Sequence, residues 1–363
     1  MRRKNHRVLF LADCLGNGGA ERQLALLIKY LPADWERQVW SLDDDSFADI
    51  IRNTGVVVSV TKRFSRFDVS PAIALWKTIK SWRPDVVHSW GWMATAAAGP
   101  ICRIKKIPLI DGTIRSGMVP PRRGLANRWS MKWAALVVAN SQAGFRAWGI
   151  PTEKGRVIYN GFDSERIESC KEILSIRENV VKVVMTGRMV AADKDFATFL
   201  DAARLIVNSS NHRWQFIAVG NGADRQRLID SNGDLIADCK VVFIDGKTDV
   251  LPVLRSAHIG VLVSHQKIEE GCSNSIMEYM ACGLPVICGE SGGNREVVID
   301  GVTGFIIPPG NPQALAEKLL LLRRDAALAQ LMGAAGRERI LRDFSVEKMV
   351  NSYVDIYNFV RRQ

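Results

Sequence analysis

Residues 8–31 read VLFLADCLGNGGAERQLALLIKYL: a short apolar run, a glycine-rich turn and a helical pattern in succession. Arg7 to Ala12 has the β-rich composition of a buried strand, Gly16, Asn17, Gly18 and Gly19 interrupt it, and Ala20 to Leu31 carries helical periodicity. A strand that enters a helix through glycines is the opening unit of an α/β fold. The unit then repeats along the chain. Gln38 to Leu42 supplies a second strand, Val56 to Val60 a third after Gly55 breaks a helix, Val86 to His88 a fourth behind Pro84, and Leu109 with Ile110 a fifth. Leu136 to Ala139 closes the series, with Asn140 and Ser141 as caps for the helix that comes next. Strands alternating with helices favour a parallel, doubly wound sheet.

A new series begins beyond residue 150. The stretch VIYNGFD, residues 157–163, ends in turn residues, and a polar helical stretch runs from Glu165 to Glu178. Strands are then expected at Val180 to Met185, Phe216 to Val219, Val241 to Phe243, Ile259 to Val263 and Pro285 to Cys288, with late helices from about Asn311 to Arg324 and Ser345 to Val360. At 363 residues the chain is long enough for two such α/β domains. The expected division is 1–163, with a linker at about 157–178, then 179–345, then a C-terminal helix at 346–363 that packs back on the first domain.

Composition narrows the function. No apolar run approaches the ~20 residues of a membrane helix, and no secretory signal is seen. Seven cysteines without a C-x-x-C pair suit a reducing compartment and give neither a disulfide framework nor a zinc site. The net charge of +11 is unevenly placed. Residues 1–150 hold 23 Lys and Arg against 11 Asp and Glu, whereas residues 151–363 hold 26 against 27. Nine of the ten Trp also lie in the first part, interleaved with cations as in Trp76, Lys77, Lys80 and Trp82, or Arg122, Arg123, Arg128, Trp129, Lys132 and Trp133. That interleaving suits an anionic lipid surface, where indoles sit at the boundary and cations meet phosphates; a solvated basic face over core tryptophans accounts for it equally well.

Three clusters carry candidate chemistry. The glycines between the first strand and helix, Gly16 to Gly19, let backbone N–H groups approach an anion, although a plain turn needs the same residues. Gly187, Arg188 and Lys194 come after the first strand of the second domain, at the sheet edge where doubly wound folds bind ligands. There Arg188 offers a fork and Lys194 a point charge to a diphosphate. The third is EGCSNSIME, residues 270–278, with Glu270 and Glu278 eight positions apart across a loop entering a helix. Ser273 and Asn274 are good N-cap residues, and a helix starting there would turn N–H groups near Ser275 and Ile276 toward a phosphate. Asp43, Asp44 and Asp45 only imitate a metal-binding D-x-D and read as a polar loop.

The acidic pair with seven residues between resembles the hallmark of the retaining family 4 glycosyltransferases, group 1 glycosyl transferases of the GT-B fold. The resemblance extends through GRMVAADK at 187–194, VGNGADR at 219–225, EGCSNSIMEYMACGLPVI at 270–287, GGNREVV at 292–298 and DGVTGFIIPP at 300–309. In the first half GGAER at 18–22, PDVVH at 84–88 and NGFD at 160–163 also resemble the family. The resemblance implies two Rossmann-like domains facing each other across a cleft, the first binding the acceptor and the second a nucleotide diphosphate sugar. It implies that Arg188 and Lys194 hold the donor diphosphate, Glu278 the ribose and Glu270 the transferred sugar, with Ser273, Asn274 and Ser275 lending backbone donors and Gly187 also in the donor-binding set. Gly18 and Gly19 would close over the donor from the first domain. His88 matches a histidine near the acceptor side, although a histidine at a strand end is often structural. The chain departs from the family at Thr113 to Ser116, where many members carry a histidine. Arg115 stands in its neighbourhood, a cation for acceptor or leaving phosphate and no general base. Asp195 replaces a frequent glycine.

The function implied is transfer of a hexose-type unit, with retention, from a sugar nucleotide to a glycan or lipid-linked glycan in cell-surface polysaccharide or lipopolysaccharide assembly. A UDP-sugar is favoured by family habit alone. No cofactor or metal is expected, because cations and helix N–H groups can stabilise the leaving group. The expected setting is cytoplasmic, at the inner face of the plasma membrane. Three rivals remain at this level: a nonhydrolysing sugar-nucleotide epimerase, which would need its own acid and base; a basic nucleic-acid-binding protein, for which no recognised motif is present; and a silent sugar-nucleotide-binding module.

Overall fold

The computed structural model describes residues 5–16, 18–65, 68–120, 124–170, 180–209, 213–246 and 249–362. Asn17, Arg122, Arg123 and the end of the polar stretch after Glu165 therefore lie outside the described residues. The chain divides into two compact units, one of residues 1–161 with 346–363 and one of residues 162–345.

In the first unit β1 (His6–Ala12), β2 (Trp35–Ser41), β3 (Val57–Val60), β4 (Val86–Ser89), β5 (Leu109–Ile114), β6 (Leu136–Ala139) and β7 (Gly155–Val157) form a parallel sheet in the order β3-β2-β1-β4-β5-β6-β7. Side chains alternate across a strand, so β1 divides its residues between two cores. Val8 and Phe10 join one core with Leu24, Leu27 and, from the helix Val346–Val360, Tyr353 and Tyr357, while Leu9 and Leu11 join another with Leu75, Ile79, Ala94 and Ala98. Both faces are covered, so β4 and β6 are buried throughout, as parallel strands between helices must be. Ser141 caps the helix Gln142–Trp148 by accepting from the Gly144 N–H, as its position after β6 predicts.

The second unit repeats the plan with β8 (Val180–Thr186), β9 (Arg213–Val219), β10 (Val241–Ile244), β11 (Ile259–Leu262), β12 (Val286–Gly289) and β13 (Gly304–Ile307), in the order β10-β9-β8-β11-β12-β13. Phe196, Phe199 and Ile206 of the helix Phe196–Ser209, with Leu315, Leu319 and Leu322 of the helix Pro312–Arg324, pack on Val183, Phe216 and Val261. In each sheet the strand order reverses beside the first strand, between β1 and β4 and between β8 and β11. Doubly wound folds bind ligands at that switch point, outside the carboxyl ends of the strands.

The structure revises three expectations. The start of the expected linker belongs to the two units, since β7, which ends at Val157, pairs with β6 and Phe162 lies in the second unit, where its N–H donates to the Phe344 carbonyl at 2.7 Å, while residues 171–178 lie outside the described residues. β13 lies inside the DGVTGFIIPP motif, where no strand was expected. An 18-residue helix, Ala326–Asp343, was likewise unanticipated.

Candidate active site

Lys194 is fastened across the switch point of the second sheet. Its backbone bridges Ser264 just beyond β11, and the Asp195 N–H donates to the Val263 carbonyl at 3.1 Å. From there Lys194 Nζ donates to Glu270 Oε1 at 2.5 Å, and the Ser264 hydroxyl donates to the same oxygen. The Glu270 loop is itself held at both ends of the residue: its N–H donates to Ser291 Oγ at 3.0 Å and its carbonyl accepts from the Gly293 N–H at 2.8 Å. Gly292, at φ +41°, lies so close that a Cβ would stand 2.2 Å from the Glu270 carbonyl oxygen. Burial alone would raise the Glu270 carboxyl. The charge and hydrogen bond of Lys194, the Ser264 hydroxyl and the charge of Arg188 outweigh burial and hold the group below the usual carboxylate value.

Gly187 turns the chain out of β8 against Gly220, where a Cβ would stand 1.9 Å from the Gly187 carbonyl oxygen. Arg188, next along, is 77% exposed and paired with Asp193 at 2.8 Å, so its guanidinium is a solvent-facing cation beside the buried Lys194–Glu270 pair. The helix Asn274–Ala281 begins as predicted, with Ser273 as its N-cap. The Ser273 hydroxyl accepts from the Ile276 N–H at 3.4 Å, which corrects the expectation that this donor is open to a phosphate. Ser275 Oγ instead accepts from the Thr186 hydroxyl at 3.0 Å, and the Tyr279 hydroxyl accepts from the Thr186 N–H at 2.6 Å. These bonds tie the helix start to the end of β8.

Glu278 is buried and accepts from Arg166 Nη1 at 3.1 Å. Arg166, in the short helix Glu165–Ser169, was not singled out from the sequence, because an arginine in a polar helical stretch carries no signal of its partner. The structure thus brings Lys194, Glu270, Gly187 and Arg188 to one sheet edge, with Ser273, Ser275 and Glu278 on the adjoining helix. A cavity of about 390 Å³ in this unit opens at the other edge, among Val181, His258, Ile259 and Leu284.

The remaining predicted residues lie in the first unit. Gly18 and Gly19 open the helix Gly19–Tyr30, and a Cβ on Gly18 would meet the Glu21 carboxylate. His88 is fully buried. Its Nδ1 is 2.7 Å from the Tyr357 hydroxyl, and the ring lies among Phe10, Trp90 and Tyr353. Burial, with the nearby charge of Arg115, pushes its pKa well below the ordinary histidine value, so it is a neutral ring held in an aromatic nest. Arg115 stacks 3.6 Å over the Trp90 ring, and its Nε donates to the Gly112 carbonyl at 2.8 Å. Trp90 also lines a cavity of about 180 Å³ at the switch point of the first sheet, with Asp13, Glu21, Trp92 and Thr113. Asp13 there accepts from the Ala94 N–H at 2.8 Å, at the start of the helix Trp92–Lys105. Among the described residues no group of three or more His, Cys, Asp or Glu is placed to hold a metal ion.

Residues 17–166 match the family model Glycosyltransferase Family 4, and residues 181–325 match Glycosyl transferases group 1, together more than half of the chain. The N-acetyl-alpha-D-glucosaminyl L-malate synthase of Bacillus anthracis is 28% identical over 196 residues, 54% of this chain and 48% of that protein. The UDP-Gal:alpha-D-GlcNAc-diphosphoundecaprenol alpha-1,3-galactosyltransferase of Escherichia coli is 22% identical over 311 residues, 80% of this chain and 79% of that protein. The chain therefore spans about half the length of the first relative and nearly four fifths of the second. Among solved structures, Anabaena HepE in complex with UDP gives a TM-score of 0.85 at 23% identity, over 97% of this chain and 100% of that one. The likeness is one of fold: two Rossmann-like domains of the GT-B class.

Proposed function

Because the chain belongs to glycosyltransferase family 4, the group 1 glycosyl transferases, we propose that it moves a hexose-type sugar from a UDP-sugar, with retention, to a glycan or lipid-linked glycan acceptor in cell-surface polysaccharide assembly. The observation that supports this reading is the Lys194–Glu270 pair at the carboxyl edge of the second sheet, the position where doubly wound sheets generally bind ligands. In this role Lys194 leaves its carboxylate partner to share the donor diphosphate with Arg188. The departing negative charge is then met by two cations rather than by a divalent ion. Glu270, freed on one side, accepts from hydroxyls of the transferred sugar, and Glu278 holds the ribose while Arg166 orients its carboxylate. Ser273, Asn274 and Ser275 supply the helix start against the phosphates.

The acceptor belongs to the first unit in this reading. The cavity of Asp13, Glu21, Trp90 and Trp92 offers carboxylates for sugar hydroxyls and indoles for a sugar face, with Arg115 behind Trp90 and His88 beneath it. The acceptors in the two relatives' names, a malate in one and a diphosphoundecaprenol-linked sugar in the other, differ in charge, and a carboxylate-lined cavity favours the uncharged ring. We place the reaction at the cytoplasmic face of a membrane that carries the acceptor.

The test is thermal stabilisation by nucleoside diphosphates and their sugars in the absence of metal, on the wild type and on Glu278→Ala and Lys194→Ala. A ligand present at 100 times its Kd adds ~2.7 kcal/mol of apparent stability. Uridine compounds should stabilise the wild type and leave both variants unmoved. A folded protein that responds to none of them is not this enzyme.

A further inference from the structure

We propose that the outer surface of the helices Ser70–Trp82, Trp92–Lys105 and Gly124–Met131 is a docking face for a bilayer of anionic phospholipid. From residue 69 to residue 134 the chain carries eleven Lys and Arg and only two acids. Neither acid lies on the three helices: Asp111 is fully buried in β5, and Asp85, half-buried just before β4, is turned to the Arg7 N–H at 2.8 Å. The three helices contain no Asp or Glu at all. Lys77, Lys80, Arg103, Lys105, Arg128 and Lys132 are all exposed.

Apolar groups stand exposed among these cations. Leu125 is 87% exposed, Ile104 68% and Trp129 53%. Leu125 and Trp129 are four residues apart and so share one helix face. The patch is continuous across helices. Trp129 meets Trp133 with ring centroids 6.1 Å apart, the Arg103 guanidinium lies 5.9 Å over Trp133, and Lys105 Nζ lies 4.7 Å over Trp76 on the next helix. Cations laid over indoles beside bare aliphatic side chains match the boundary of a lipid layer, where the rings and Leu125 enter below the headgroups and the charges stay with the phosphates. A nucleic acid would use the cations but leave Leu125 and Ile104 without a partner. A second copy of the same face would meet like charge.

The inference needs neither donor nor acceptor, so it stands or falls apart from the transferase reading. The experiment is cosedimentation with vesicles of phosphatidylcholine alone and of phosphatidylcholine mixed with phosphatidylglycerol. The wild type should bind only the mixed vesicles and come off as salt is raised. Each cation near such a surface is worth about fivefold in partitioning, so Arg103→Gln with Lys105→Gln and Arg128→Gln should lower it about a hundredfold. Leu125→Ser with Trp129→Ser, at exposed positions that leave the fold intact by circular dichroism, should lower it about tenfold or more. Equal binding to both vesicles, or variants that bind like the wild type, would overturn the proposal. So would tighter retention on duplex DNA that the Leu125 and Trp129 changes leave untouched.

Discussion

Replacing Lys194 by methionine should destabilise the second unit in a pH-dependent way whose sign is opposite to that of the wild type. In the wild type Glu270 is held below the usual carboxylate value chiefly against the pull of burial. Such a group adds stability above its unfolded value, near 4.3, and loses it as pH falls through the lower folded value, so the wild type should be level from pH 5 to 8. Without Lys194 the carboxylate keeps only the Ser264 hydroxyl and the charge of the exposed Arg188, the smallest of its charge contributions, and burial becomes the larger influence. Its folded value then rises above the unfolded one, and stability is lost as pH increases. Breaking a buried ion pair costs ~3–5 kcal/mol. Both side chains here retain some exposure, 17% and 15%, so ~2–3 kcal/mol is expected at pH 7.5, or about 8 °C in a unit of this size. Scanning calorimetry at pH 5 and 7.5 should show the loss shrinking at the lower pH. The double variant Lys194→Met with Glu270→Gln should recover most of it at the higher pH. An equal loss at both pH values, with no recovery in the double variant, would refute the reasoning.

Tyr279→Phe removes the acceptor of the Thr186 N–H and should cost ~1–3 kcal/mol, read by denaturant midpoint, with donor binding weakened because the end of β8 is loosened. Gly220→Ala forces a Cβ to within 1.9 Å of the Gly187 carbonyl oxygen at φ +155°, and should lower the midpoint more than any other single glycine-to-alanine change in the GNG turn, Gly222→Ala included. His88 is neutral in the fold while its unfolded value is near 6.5, so it contributes stability that is full above that pH and lost as pH falls below it. His88→Gln should flatten the slope between pH 6.5 and 5 in a urea titration monitored by tryptophan fluorescence.

The alternation of strand and helix was legible because buried parallel strands must be apolar on both faces, and every strand that the apolar runs named is present. Strands with polar members were harder: β2 starts at Trp35 rather than Gln38 because Glu36 and Arg37 hide its first turn of pleat. The helix Ala326–Asp343 escaped notice because Gly333 and Gly336 lower its helical propensity. Gly333 is there for packing, since a Cβ would stand 2.0 Å from the Gly283 carbonyl oxygen. At the site, residue types and spacing pointed to Lys194, Glu270 and Glu278, yet only the fold shows that Lys194 and Glu270 hold each other and that Glu278 has Arg166 for a partner. Pairings between positions 76 and 112 residues apart leave no mark in a single sequence.

The last helix of the chain completes the core of the first unit. Val346, Met349, Tyr353 and Tyr357 lie in the same cluster as Val8, Phe10 and Val86, and Tyr357 bonds His88 at the end of β4. On the ribosome, the first 161 residues emerge with that face of their sheet uncovered. They wait while residues 162–345 are made, on the order of ten seconds to half a minute at ~5–20 residues per second. Synthesis order and folding order therefore disagree: the unit that appears first is the one that finishes last. A ribosome stalled short of residue 346 would hold a nascent chain with an open apolar flank, a natural client for a chaperone.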